Sequence, residues 1–305
     1  MRTDGDSWDI TTSVGSTAMF VAAARALGSR RPDPLAVDPL ADVFLRAAGP
    51  EWSALIDADP DRTREHPLRS ADFGEGFITF QCARTRYFDD YFAEAARAGV
   101  RQVVILAAGL DSRAYRLPWP DDTVVYELDR PQVLEFKNAV LSEHGGVPVA
   151  ERRAVAADLR EDWSTALRDK GFDPTAASAW LLEGLLLYLP ASAQDQLFAT
   201  IDTLAAPGSR IAIEQLAALP EETYDAIKSS PSDGDEDSSA AEWAHMIYNE
   251  PHSEAAQWFA ERGWQSTRTE LPEYLRACGR AVPSSATDGG FTLDQISLVT
   301  AVRPT

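Results

Sequence analysis

The spacing of apolar residues changes character near residue 100. Before it they recur at helical intervals; after it they gather in short β-rich runs. Asp9 to Leu27 reads as a helix entered through Thr11, Thr12 and Ser13. Ala18, Met19, Ala22, Ala23 and Ala26 supply its apolar positions, and Gly28 is its stop signal. Asp38-Pro39-Leu40-Ala41 opens a second helix, with Asp38 as N-cap and proline in the first turn. Phe77 to Ala98 predicts a long helix ending at Gly99. Its Phe80, Ala83, Arg84, Tyr87, Phe88, Tyr91 and Phe92 form a wide aromatic face. No convincing strand precedes residue 100.

Strand-like runs follow at 102–107, 123–128, 152–156, 178–183 and 209–214. Helical stretches separate them, notably Pro131–His144, Asp162–Lys170 and Ser192–Ala205. Such alternation argues for a parallel sheet joined by right-handed crossovers. Gly208 and Gly263 mark entries to later strands, and Asp294 to Val302 reads as the last one. The segmentation gives a helical N-terminal part, 1–99, and an α/β part, 100–305. Within the second part, an acidic insertion falls near 220–250. Its centre, 229–242 (SSPSDGDEDSSAAE), is polar and poor in apolar residues. It reads either as a flexible surface insertion or as a lid over a pocket.

The first two strands carry the chemistry. Val103-Val104-Ile105-Leu106 turns at Ala107-Ala108-Gly109-Leu110-Asp111, and Thr123-Val124-Val125-Tyr126 leads into Glu127-Leu128-Asp129. Gly109 and Asp129 are 20 positions apart. Small residues let a backbone approach a ligand closely, and an acid at that distance can accept hydrogen bonds from ribose hydroxyls. The pattern suits a nucleoside; an ordinary strand-loop-helix turn followed by an unrelated acid is the plainer alternative. The dinucleotide fingerprint G-x-G-x-x-G is incomplete, with Ala107 and Ser112 in glycine positions. A pyrophosphate cradle is therefore disfavoured, whereas S-adenosylmethionine, which has no phosphate, asks less of the turn.

Composition narrows the partners. The 305 residues are 45% hydrophobic, enough for one large α/β domain with additions or two small ones. Against 28 basic residues stand 48 acidic ones, a net charge of −20. Such a field repels nucleic-acid backbones and anionic membrane surfaces, although basic groups can still dominate locally. Cys82 and Cys278 form no metal or disulfide motif, and the four histidines show no metal-ligand spacing. No signal peptide and no run of 18 apolar residues is evident, which makes the cytoplasm the expected compartment.

Several segments in order resemble the leucine carboxyl methyltransferase-like group of S-adenosylmethionine-dependent methyltransferases, which includes bacterial O-methyltransferases linked to polyketide pathways. They are Val14-Gly15-Ser16-Thr17-Ala18, Asp38-Pro39-Leu40-Ala41 and Ala83-Arg84-Thr85-Arg86, then Ala108 through Leu117 and Glu127 through Pro131. Asp158-Leu159-Arg160 and Glu183-Gly184-Leu185-Leu186-Leu187-Tyr188-Leu189 complete the set. The resemblance implies an α/β class I methyltransferase, with a Rossmann-like, seven-stranded, mostly parallel sheet and a helical N-terminal cap. The cofactor would lie across the carboxyl ends of the first strands.

The resemblance also implies roles. Arg84 would grip the cofactor's carboxylate. Ala107, Ala108 and Gly109 would pass close to its methionine portion, although the family has glycine where this chain has Ala107. Asp111 would orient that turn, reach the amino group or simply cap. Asp129 would bind the ribose hydroxyls, with Glu127 competing from the same strand. Asp158 and Leu159 would hold adenine, helix capping being the other reading of Asp158. Glu183 would sit near the cofactor's amino group, and Gly184 and Tyr188 would face the substrate. A tyrosine at such a position is more often core than catalyst.

The expected reaction is methyl transfer to an oxygen of a small molecule, such as a polyketide or aromatic acid. A carboxylate is favoured over a hydroxyl, because no base dyad is evident and a carboxylate needs none. Three rival readings stay open: a protein C-terminal carboxyl methyltransferase, a non-catalytic module that senses the cofactor, and a nicotinamide oxidoreductase.

Overall fold

Seven strands form a single sheet in the order β3-β2-β1-β4-β5-β7-β6 in the computed structural model, which describes residues 14–57, 63–71, 73–229, 245–283 and 293–305. The strands are β1 (Gln102–Leu106), β2 (Val124–Asp129), β3 (Glu151–Ala156), β4 (Ser178–Leu182), β5 (Arg210–Leu216), β6 (Gln265–Glu270) and β7 (Ile296–Val302). The first five pair in parallel, and β7 runs antiparallel between β5 and β6. Every residue of β1 and β4 is buried, the signature of strands covered on both faces. This is the expected α/β, mostly parallel architecture.

The helices are α1 (Val14–Ser29), α2 (Pro39–Ala48), α3 (Pro50–Ile56), α4 (Phe73–Arg97), α5 (Arg113–Arg116), α6 (Pro131–Glu143), α7 (Trp163–Asp169), α8 (Ala191–Leu204), α9 (Glu221–Lys228), α10 (Ala255–Ala260) and α11 (Leu271–Ala277). None is long and apolar enough to cross a membrane. One face of the sheet packs Val104, Leu106, Leu128, Trp180 and Leu182 against α7, α8 and α10. The other packs Val103, Ile105, Ala179 and Ala212 against Phe80, Ala83, Phe88 and Phe92 of α4. A third cluster joins α1, α2 and α3 to Ile78 and Cys82.

Two helix boundaries differ from the sequence reading. Gly28 lies inside α1 rather than at its stop. A Cβ there would sit 2.0 Å from Cys82 Sγ, so the residue is small because α1 crosses α4 at that point. The long helix starts at Phe73, one turn before Phe77. Its opening turn contains Gly74 and Gly76, which weaken the helical signal. Tertiary contact fixes it: Ser70 Oγ accepts the Gly74 N–H at 2.9 Å, and a Cβ on Gly74 would lie 2.6 Å from the Leu68 backbone. Asp38 caps α2 as expected, accepting the Leu40 N–H at 3.1 Å. Thr11, Thr12, Ser13 and most of the acidic stretch expected as insertion or lid lie outside the described residues.

Candidate cofactor and acceptor site

The expected site residues converge at the carboxyl ends of β1 to β4, where open α/β sheets bind ligands. Ala107 leaves β1 with φ of 51° and Gly109 follows with φ of 46°. Alanine rarely adopts this left-handed conformation, so the turn is strained at Ala107. Gly109 needs its freedom for the same reason: its N–H is aimed at β2 and donates to Asp129 Oδ2 at 2.7 Å. Asp129 Oδ1 accepts the Arg130 N–H, also at 2.7 Å. Burial raises the pKa of Asp129 above the ordinary carboxylate value, and the two backbone donors only partly offset it. Each oxygen keeps acceptor capacity for a further hydroxyl.

Glu127, the competitor for that role, is withdrawn from the site. It is fully buried, with its Oε2 2.7 Å from both Lys137 Nζ and Arg152 Nε. Asp158 does not cap α7; Asp162 does, through the Thr165 N–H. Asp158 instead binds the backbone N–H and guanidinium of Arg160, which lower its pKa. Leu159 packs its side chain against the apolar core beside it. Tyr188 is half-buried on a short 3-10 turn, Leu186–Tyr188, after β4.

Arg84 is 4% exposed and reaches the end of β4 from the middle of α4. Its Nε lies 3.0 Å from Glu183 Oε1 and its Nη1 donates to Glu214 Oε2 at 2.6 Å. Its Nη2 donates to Gln81 Oε1 at 2.5 Å. Burial opposes the charge, but Glu214 and Glu183 outweigh it and hold the guanidinium protonated. Two of five donor hydrogens are used in hydrogen bonds, Nε meeting Glu183 only as an ion pair, which leaves capacity for one more planar acceptor.

Three partners had no role in the sequence reading. Arg113 donates to Glu183 at 2.7 Å, to Asp89 at 2.8 Å and to Asp111. Burial would raise the Asp111 pKa, but the Arg113 guanidinium holds it below the usual range. Glu214 also accepts the Gly184 N–H at 2.6 Å, pinning a turn in which Gly184 has φ of 63°. Asp89 bridges Arg113 to Arg116. The only signal for Glu214 was a lone acid ending the apolar run Ile211-Ala212-Ile213; Asp89 on an exposed-looking helix gave none.

The donor set fits S-adenosylmethionine: a guanidinium for its carboxylate, acids for its ammonium and ribose hydroxyls, and close-approach turns at Ala107–Gly109 and Gly184. Comparisons with known proteins agree. Residues 18–202 match the leucine carboxyl methyltransferase family model. A protein of Mycobacterium sp. (strain KMS), named "Putative S-adenosyl-L-methionine-dependent methyltransferase", is 57% identical over 303 residues, spanning 99% of this chain and all of its own. A Mycobacterium tuberculosis (strain H37Rv) relative of the same description is 54% identical over 304 residues, again 99% of this chain and 100% of the relative. A crystal structure from Thermobifida fusca, described as a "putative methyltransferase", shares the fold with a TM-score of 0.52 at 17% identity, covering 97% of this chain and 100% of that one. The chain therefore belongs to the leucine carboxyl methyltransferase family and is an S-adenosylmethionine-dependent methyltransferase.

Proposed function

We propose that the protein methylates a carboxylate oxygen of a small-molecule acid. The observation that carries this is the state of the acids around the site. Glu183 is held by Arg84 and Arg113, Asp111 by Arg113, and Asp158 by Arg160. The guanidiniums lower the pKa of Asp111 and of Asp158, so both are weak bases. Asp129, whose pKa burial raises, is occupied by the Gly109 and Arg130 N–H groups and, in this reading, by the ribose. An acceptor that arrives ionised needs no base, so positioning supplies most of the rate. The cofactor, when bound, supplies an electrophilic methyl group on a sulfonium.

In this reading Arg84 binds the cofactor's carboxylate with its unused donors, and Asp129 takes the ribose hydroxyls. Asp158 and Leu159 hold the adenine, while Glu183 and Asp111 offset the cofactor's positive charge. Ala107, Ala108, Gly109 and Gly184 keep the backbone close to the methionine portion, and Tyr188 borders the acceptor. The family description, leucine carboxyl methyltransferase, supports a carboxylate over a hydroxyl.

The test is methyl transfer from labelled S-adenosylmethionine to a panel of aromatic and polyketide-like acids and their phenol counterparts. Products are then treated with mild alkali. Methyl esters release methanol; aryl methyl ethers do not. Label that survives alkali would assign a hydroxyl acceptor. Label carried by lysate protein and by no small acid would make the acceptor a protein C-terminal carboxylate.

A further inference from the structure

The helix α4 runs past the site, and one stripe of it is aromatic. Its direction is fixed by two contacts with β4. Tyr91 Oη donates to the Trp180 carbonyl at 3.1 Å, within the strand. Arg84 meets Glu183, the residue just after the strand ends. Continuing the same way, Phe80, Phe77 and Phe73 stand beyond the carboxyl edge of the sheet. Phe73 is about 16 Å past Arg84, from eleven residues of helical rise.

These four positions are spaced by four, three and four, so they lie on one helix face. The rings touch in series. Phe73 and Phe77 are stacked with centroids 5.5 Å apart, and Phe77 meets Phe80 edge-on at 6.0 Å. Arg84 lies 5.1 Å from the Phe80 centroid. Exposure falls along the stripe, from 42% at Phe73 to 3% at Phe80. The stripe is thus a ramp from solvent to the guanidinium of the candidate cofactor site.

The facing side is aromatic too. Phe20 of α1 approaches Phe77 at 5.1 Å, and His66 stacks on Phe20 at 5.7 Å. His66 Nδ1 accepts the Leu68 N–H at 3.2 Å, and burial lowers its pKa to about 4, so the ring is neutral near pH 7. A wall of uncharged rings that ends at the candidate cofactor site complements a flat apolar body.

We propose that Phe73, Phe77 and Phe20 form the acceptor subsite and that it takes an aromatic carboxylic acid. This rests on the reading that methyl transfer occurs at the carboxyl edge of the sheet. The ring system would stack on the phenylalanines, where offset and edge-on ring pairs are favoured beyond their area alone. The carboxylate would point toward the cofactor's methyl group, while Arg84 stays with the cofactor's own carboxylate.

The probes are 2-naphthoate and decanoate, titrated by calorimetry into full-length protein saturated with S-adenosylhomocysteine. Naphthoate is expected to bind and decanoate to bind more weakly. Phe77→Ala should weaken naphthoate about tenfold, the scale of one lost ring contact plus its buried area. Phe73→Ala, at the exposed end where folding is least at risk, should weaken it less but measurably. S-adenosylhomocysteine affinity should hold in both variants. Naphthoate that fails to bind, binds both variants like the wild type, or is matched by decanoate overturns the subsite. Ring-dependent naphthoate binding without methyl ester formation would uphold the subsite and sink carboxylate methylation. Ester formation on other acids, indifferent to Phe77 and Phe73, would do the reverse.

Discussion

Single residues set the shape and charge of the cofactor turn. Ala107 has φ of 51°, a conformation costing a residue with a Cβ about 1–2 kcal/mol. Glycine removes that cost but adds about 0.5–1 kcal/mol of unfolded-chain entropy. Ala107→Gly is therefore expected to stabilise by up to about 1.5 kcal/mol, read as a higher Tm. It should also tighten S-adenosylmethionine, since the lost methyl group widens the approach; an unchanged Kd would place the cofactor elsewhere. Asp129 ties the same turn to β2 through Gly109. Asp129→Ala should cost about 1–3 kcal/mol of cofactor binding, the scale for lost hydrogen bonds to a charged acceptor. Only the ionised carboxylate offers both oxygens as strong acceptors to the ribose hydroxyls, and burial raises its pKa. Wild-type affinity should thus begin to fall at a higher pH on acidification than an ordinary aspartate would dictate. Calorimetry across pH on wild type and Asp129→Ala reads both effects; an identical acid limb in the variant would remove Asp129 from the ribose.

At the scale of elements, the N-terminal helices depend on fitted contacts. Gly28→Ala places a Cβ 2.0 Å from Cys82 Sγ, so the Cys82 side chain must turn away or α1 and α4 must move apart. The expected loss is about 1–3 kcal/mol, the usual cost of overpacking. Cys82→Ala in the same chain should restore much of it, a coupling that a double-mutant cycle of Tm or denaturant midpoints measures. His66 adds a pH dependence to this region. It titrates near 6.5 when unfolded and near 4 when folded, because burial penalises the charged ring. The unfolded chain binds the proton first, so stability should fall as pH drops from 6.5 toward 4 and level off below. His66→Phe should flatten that slope whatever its absolute Tm. The strands and the acids at their ends were legible in the sequence, since apolar runs reveal buried strands and position along them reveals the carboxyl edge. Gly28 was misread because its reason is Cys82, 54 residues away. Glu127 and Asp129 share a strand face, and only Lys137 and Arg152, brought in by tertiary packing, separate a buried pair from a site acid. Arg113, Glu214 and Asp89 were hidden for the same reason: their partners come from other elements.

At the scale of the whole molecule, the net charge of −20 bears on which acceptors arrive and how fast. Buried pairs such as Arg84 with Glu214 are shielded from salt, whereas exposed acids sum to a long-range negative field. An anionic acceptor must cross that field before the local guanidiniums attract it. Screening shortens the reach of the field to about 10 Å near 0.1 M salt and about 3 Å near 1 M. For a carboxylate acceptor, kcat/KM should therefore rise with added NaCl, mainly through KM, because the approach is eased while the chemical step is not. A cationic acceptor should show the opposite trend and a neutral phenol almost none. Added salt should also raise Tm modestly, because self-repulsion among the surface acids is relieved. The two trends separate cleanly: Tm reports the fold's own charge, and the salt slope of kcat/KM reports the charge on the acceptor. A falling slope for every acid turned over would mean that local attraction outweighs the global field at the distance where capture is decided. The mouth of the site would then be basic despite the charge of the chain.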